Sequence, residues 1–261
     1  MSPIWLPALE RKLIFAPLAY PSGDWHPDDL AFEDAWITTD SGERIHGWFV
    51  DPGSPRAVIL YCHGNYGNVS HRGTLLRHIT ERYRVAMLVF DYRGYGRSEG
   101  IPTEQNILED ARAARDWLAR KTEIAPADIV LMGRSLGGAV AIDLAAEDGA
   151  RGLIVESTFT SLPDVGAYHY PWLPVRTLMR HRLNSLKKIS QYHGPLLMSH
   201  GDADRVIPFE QGKQLFEVAN EPKEFVTIRG GDHNSPQSEE YYEALGRFLD
   251  SLPTARPAAA P

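Results

Sequence analysis

Asp128-Ile129-Val130-Leu131-Met132 is an apolar run, Gly133-Arg134-Ser135-Leu136-Gly137-Gly138 follows it, and Ala139-Val140-Ala141-Ile142-Asp143-Leu144-Ala145-Ala146 comes next. The order reads as strand, sharp turn, helix. Gly133-x-Ser135-x-Gly137 has the spacing of a nucleophile elbow, in which a serine occupies a strained turn and small flanking residues let strand and helix approach closely. Any tight turn between a buried strand and a helix also uses small residues. The remainder of the chain has to separate the two readings.

Outward from this stretch the same rhythm repeats. Short apolar runs rich in β-formers at residues 57–61, 85–90, 152–155, 195–199 and 224–228 read as strands buried on both faces. Helical patterns separate them over residues 70–82, 103–120, 209–219 and 238–252, with Thr103 placed to cap the second. Residues 34–39 and 45–50 flank the polar turn Asp40-Ser41-Gly42-Glu43 and predict an antiparallel hairpin of edge strands. Strands alternating with helices define an α/β protein, its mostly parallel sheet covered by helices on both faces, and ligands bind such sheets at the carboxyl ends of the strands.

The chain of 261 residues suits one domain over residues 1–252, followed by a Pro- and Ala-rich tail at 253–261. A net charge of −7 argues against nucleic acid as a partner. The single cysteine, Cys62, cannot form an intramolecular disulfide, which fits a reducing cytoplasm. Apolar patches at Ile4-Trp5-Leu6 and Leu13-Ile14-Phe15 are broken by Pro3, Pro7, Glu10, Arg11 and Lys12, too short to span a membrane and unlike a secretory signal. The amino terminus therefore reads as an arm packed on the domain, with peripheral membrane contact as the other reading.

One segment breaks the rhythm. About residues 157–194 replace a short crossover and contain Phe159, Tyr168, His169, Tyr170, Trp172 and Leu173. They read either as an elaborated crossover with its aromatics in the core, or as a lid whose apolar side chains line a pocket over the elbow.

A serine hydroxyl needs a base, and the base needs an acceptor to fix its tautomer. His200-Gly201-Asp202-Ala203-Asp204 follows one strand and Arg229-Gly230-Gly231-Asp232-His233-Asn234 follows the last. The order Ser135, Asp204, His233 suits a triad carried on strand ends. Asp202 and Glu156 compete with Asp204, and Asp202 is expected to hold its loop by accepting backbone hydrogen bonds. An oxyanion needs two donors. The N–H of Leu136, after the serine, and that of Asn65, in His63-Gly64-Asn65, are the candidates.

Together, Tyr61-Cys62-His63-Gly64-Asn65, Asp91-Tyr92-Arg93-Gly94-Tyr95-Gly96-Arg97-Ser98-Glu99-Gly100, the Ser135 elbow, His200-Gly201-x-x-Asp204 and Gly231-Asp232-His233-Asn234 resemble α/β-hydrolases of the serine-aminopeptidase-like and protein-depalmitoylase-like group. The likeness runs over roughly residues 45–250. It implies the α/β-hydrolase fold with a short lid, Ser135 as nucleophile, His233 as base and Asp204 as its orienting carboxylate; no metal or nucleotide cofactor is expected, since the sequence shows no ligand-spaced His/Cys cluster and no phosphate loop. It also implies that the Asp91–Gly100 loop is locked by its own Asp and Arg residues. Hydrolysis of a carboxylic ester or thioester through an acyl-enzyme is the expected activity, with a peptidase or amidase and a non-catalytic binding protein as alternatives. Tyr66, where relatives carry a small residue, is expected to narrow the pocket, and Phe159, Tyr168 and Trp172 to contact substrate.

Overall fold

The computed structural model describes residues 6–255. The Ile4-Trp5 part of the arm patch and residues 256–261 of the tail lie outside the described residues. In chain order the elements are α1 (Leu6–Ile14), β1 (Ala16–Pro17), β2 (Glu33–Thr38), β3 (Arg44–Val50), β4 (Val58–Cys62), β5 (Tyr66–Gly67), α2 (Gly73–Tyr83), β6 (Ala86–Phe90) and α3 (Glu104–Thr122). They continue with β7 (Val130–Arg134), α4 (Leu136–Asp148), β8 (Gly152–Glu156), α5 (Leu162–His169), α6 (Val175–Leu178), α7 (Ser185–Ile189), β9 (Leu196–Gly201), α8 (Phe209–Val218), β10 (Lys223–Ile228) and α9 (Glu239–Ser251). An eight-stranded sheet runs β10-β9-β8-β7-β4-β6-β3-β2, parallel from β10 to β6 and antiparallel at β3 and β2.

The strand sequences are continuously apolar because both faces are buried. Val58, Leu60, Leu88, Phe90, Leu131 and Val155 point to one side, under α3, α4 and α8. Ile59, Met87, Val89, Val130, Met132 and Ile154 point to the other, under α2 and α9. Thr103 caps α3 by accepting the N–H of Asn106, and Ser238 caps α9 by accepting that of Tyr241.

Several elements differ from the sequence reading. β3 is not an edge strand: it lies between β2 and β6, with all but its first residue buried. Its His46 is buried, with Nε2 2.7 Å from Asp34. β7 begins two residues later than the apolar run, because Pro126–Asp128 is a 3₁₀ turn. A second 3₁₀ turn, Val69–His71, capped by Asn68, precedes α2. Of the segment between β8 and β9, α7 packs on α4 and α8 with Ile189 in the core, leaving α5 and α6 to cover the strand ends.

Candidate active site

Ser135 sits between β7 and α4 with φ +53° and ψ −119°, a conformation that costs a non-glycine residue about 1–3 kcal/mol. Neighbouring hydrogen bonds hold it there. Its N–H donates to the Glu156 carbonyl at 2.9 Å and its carbonyl accepts from Thr158 Oγ1 at 2.7 Å. Glycine is required on both sides. A Cβ at Gly133 would overlap the Gly137 carbonyl, and one at Gly137 would overlap the Cys62 carbonyl on β4.

Two loops bring the other members to this turn. Ser135 Oγ donates to His233 Nε2 at 3.1 Å, and His233 Nδ1 donates to Asp204 Oδ2 at 2.8 Å. Asp204 follows β9, and its Oδ1 accepts the N–H groups of Val206 at 2.8 Å and Ile207 at 2.9 Å. Burial opposes ionisation of this carboxyl. Hydrogen bonds from His200, His233 and the Ile207 N–H outweigh it and hold the group well below the usual carboxylate range. His200, buried under the loop, donates from Nε2 to the Ile207 carbonyl at 2.9 Å and lies 3.3 Å from Asp204 Oδ2.

The competing acids are occupied elsewhere. Asp202 Oδ1 accepts the Gly230 N–H at 2.6 Å and so links its loop to the one that carries His233. Glu156 is buried and accepts the Tyr241 hydroxyl at 2.5 Å. Burial pushes that phenol well above its ordinary value, so it remains a donor.

Asn65 and Leu136 both line the cavity beside Ser135. Among the described residues neither backbone N–H has a protein acceptor. Asn65 is fixed from three directions: its Nδ2 donates to the Ile14 carbonyl at 3.0 Å, and its own carbonyl accepts the Ala16 N–H at 3.1 Å and the Tyr95 hydroxyl at 2.8 Å. The Asp91–Gly100 loop supplies that hydroxyl and is itself locked, since Arg93 Nε donates to Asp110 Oδ1 at 2.6 Å and Asp91 Oδ1 accepts the Val69 N–H at 2.8 Å.

The cavity has a volume of about 510 Å³ and opens over Ser135 and His233. Phe159, Leu162 and Val165 form one part of its wall, Tyr170, Leu178 and Met179 another, and Val206 and Ile207 a third. The remaining wall was not anticipated: Glu10, Leu13 and Ile14 of α1 complete it. Glu10 Oε1 accepts the N–H groups of Arg180 and His181, both at 2.8 Å, and so ties the arm to the segment after α6. The apolar Leu13-Ile14-Phe15 after the basic pair Arg11-Lys12 is the only sequence signal for that wall.

Of the expected substrate contacts, Phe159 lines the cavity, whereas Tyr66, Tyr168 and Trp172 do not. The backbone of Tyr66 pairs with Ala16 of β1, its carbonyl accepts from Arg72, and its ring is 62% exposed. Trp172, 74% exposed, lies in the turn between α5 and α6, where His169 and Tyr170 take the inward places.

The geometry permits proton removal from a hydroxyl beside two unpaired N–H donors and an apolar chamber. The family described as serine aminopeptidase, S33 matches residues 53–185. An uncharacterized protein of Mycobacterium tuberculosis is 38% identical, the alignment covering 94% of this chain and 88% of that one. The alpha/beta hydrolase domain-containing protein WAV2 of Arabidopsis thaliana is 32% identical over 94% of this chain and 89% of its own. Among solved structures, the Pyrococcus furiosus esterase Pf2001 superposes with a TM-score of 0.74 at 22% identity, covering 92% of this chain and 98% of that one. The chain belongs to the α/β-hydrolase superfamily, as a hydrolase of the serine-hydrolase-like type. Among the described residues no group of three or more His, Cys, Asp or Glu side chains could hold a metal ion, and no helix is long and apolar enough to cross a membrane.

Proposed function

We propose that the protein hydrolyses carboxylic esters or thioesters of apolar acyl groups through an acyl-enzyme. The observation that carries this reading is the continuous line from Asp204 Oδ2 through His233 to Ser135 Oγ, at 2.8 and 3.1 Å, at the floor of an apolar cavity. Ser135 Oγ attacks the acyl carbonyl while His233 Nε2 takes its proton. The N–H groups of Asn65 and Leu136 receive the oxyanion, and the imidazolium then protonates the leaving alcohol or thiol. Water, activated by the same imidazole, releases the acid. The acyl chain occupies the space between α1 and the α5–α6 segment, which is why we favour acyl esters over short peptides. The esterase description of the Pyrococcus furiosus structure is consistent with this choice.

Ser135→Ala is expected to lower kcat for p-nitrophenyl butyrate by more than about 10³-fold. It is also expected to abolish labelling by a fluorophosphonate probe with the circular dichroism spectrum unchanged. A folded variant that retains hydrolysis would overturn the proposal. Aminoacyl p-nitroanilides turned over faster than the butyrate ester would favour the peptidase reading instead.

A further inference from the structure

Exposed apolar side chains are gathered at one place on this molecule. Seven of the thirteen large exposed ones, among the described residues, belong to α1, to the α5–α6 segment or to Val206. Leu13, Tyr170, Leu178 and Val206 form the rim of the cavity while standing in solvent, Leu13 at 65% exposure. Trp172 continues the patch outward, packed edge-on against Tyr170 with ring centroids 5.9 Å apart, and Leu173 follows it. A patch of this kind, set around an opening, marks an interaction surface rather than scatter.

Charge decides what the surface meets. The stretch after α6 carries exposed Arg180 and Arg182, while Arg176 is paired with Asp164 at 3.0 Å, in a chain whose net charge is −7. Lys12 and Arg205, beside the rim residues Leu13 and Val206, are exposed as well. A second copy docking by two-fold symmetry would bring two cationic rims together, which is unfavourable. Trp and Tyr set among Arg and Lys suit the boundary between acyl chains and anionic headgroups, and an acidic body behind them would be turned away from the same surface.

We infer that the face formed by α1 and the α5–α6 segment docks on an anionic lipid surface, so that the cavity mouth opens onto the bilayer and its acyl substrate arrives from there. The second half of this statement rests on the ester-hydrolase reading above; the docking itself does not. The test is co-flotation of the full chain with vesicles of phosphatidylcholine and phosphatidylglycerol at 7:3, and with pure phosphatidylcholine, in 0.1 and 1 M NaCl. Binding is expected on the anionic vesicles, weakened severalfold by pure phosphatidylcholine or by high salt.

The double variant Trp172→Ser/Leu173→Ser should lose about tenfold in partitioning and Lys12→Glu severalfold. Both should still hydrolyse the soluble ester p-nitrophenyl acetate at the parental rate. No flotation, or flotation unchanged by these substitutions, would overturn the docking while leaving the hydrolase reading intact. A vesicle-independent dimer dissolved by the double substitution would assign the face to a second copy and likewise overturn it. If the parent chain fails to turn over p-nitrophenyl acetate, the hydrolase reading falls and flotation still decides the docking.

Discussion

The guanidinium of Arg134 donates to the carbonyl oxygen of His233 at 2.7 Å, so the residue just before Ser135 holds the loop that carries its hydrogen-bond partner. The same Nη2 reaches the Ser235 carbonyl at 3.3 Å, and Nη1 lies 3.8 Å from the buried Glu156 carboxylate. Arg134 is therefore a positioning residue. Arg134→Met should lower kcat about tenfold with little change in KM, because misplacing a base by a fraction of an ångström costs turnover before it costs binding. Arg134→Lys should restore only part of the loss, since an ammonium cannot span two carbonyls and a carboxylate in one plane. Steady-state kinetics on p-nitrophenyl butyrate measures both.

The lowered carboxyl of Asp204 predicts a dependence on pH. Its carboxyl lies well below the ordinary value when folded, so it contributes stability that is fully present above the unfolded carboxylate value, about 3.9, and fades as pH falls through the folded one. Asp204→Asn should lower Tm at pH 7 by about 5 °C, a gap that narrows below pH 4 in thermal melts. In the parent the carboxylate stays ionised throughout the working range. Protonation of Asp204 should then contribute nothing to the acid limb of log kcat/KM above about pH 4. The variant should lose about 10³–10⁴-fold in kcat, as the wrong tautomer is stabilised.

Glu10 tests the arm. Replacing it with alanine removes an acceptor from the N–H groups of Arg180 and His181, at about 1–3 kcal/mol. The cavity wall should loosen on that side. KM for p-nitrophenyl octanoate is expected to rise about fivefold to tenfold while the acetate ester is unaffected, a split read from a series of acyl lengths.

Gly137→Ala tests the elbow itself. Its methyl group would overlap the Cys62 carbonyl, and backbone cannot yield as a side chain can. Loss of about 3 kcal/mol or more of stability is expected, as a fall in the midpoint of urea denaturation, with a parallel loss of fluorophosphonate labelling.

The sequence reading reached furthest where burial constrains both faces at once. Val130, Leu131 and Met132 could only be an interior strand, and the loops after such strands must carry Ser135, Asp204 and His233 to one edge of the sheet. Asp202 was read as a loop support from its place before Asp204, and the Gly230 N–H is its partner. The arm left no comparable trace. Glu10 bonds to main-chain N–H groups some 170 positions away, and a contact with backbone constrains neither the identity nor the spacing of its partners. In the segment after β8, α5 has eight residues and α6 four, too few for a periodicity that would tell an inward aromatic from an outward one. Tyr170 and Trp172 were thus indistinguishable by sequence. β3 misled for a different reason: the polar turn Asp40-Ser41-Gly42-Glu43 fixes its pairing with β2 but says nothing of its other side, where β6 pairs with it.

The division of labour around the cavity has an evolutionary corollary. Ser135, Asp204 and His233 are anchored to the sheet, whereas the chamber's outer contour comes from α1 and from the separate excursion between β8 and β9. Either could be exchanged, lengthened or trimmed by a few codons without disturbing β7 or the loops after β9 and β10. Selectivity could therefore drift among descendants of one scaffold while turnover chemistry stayed put.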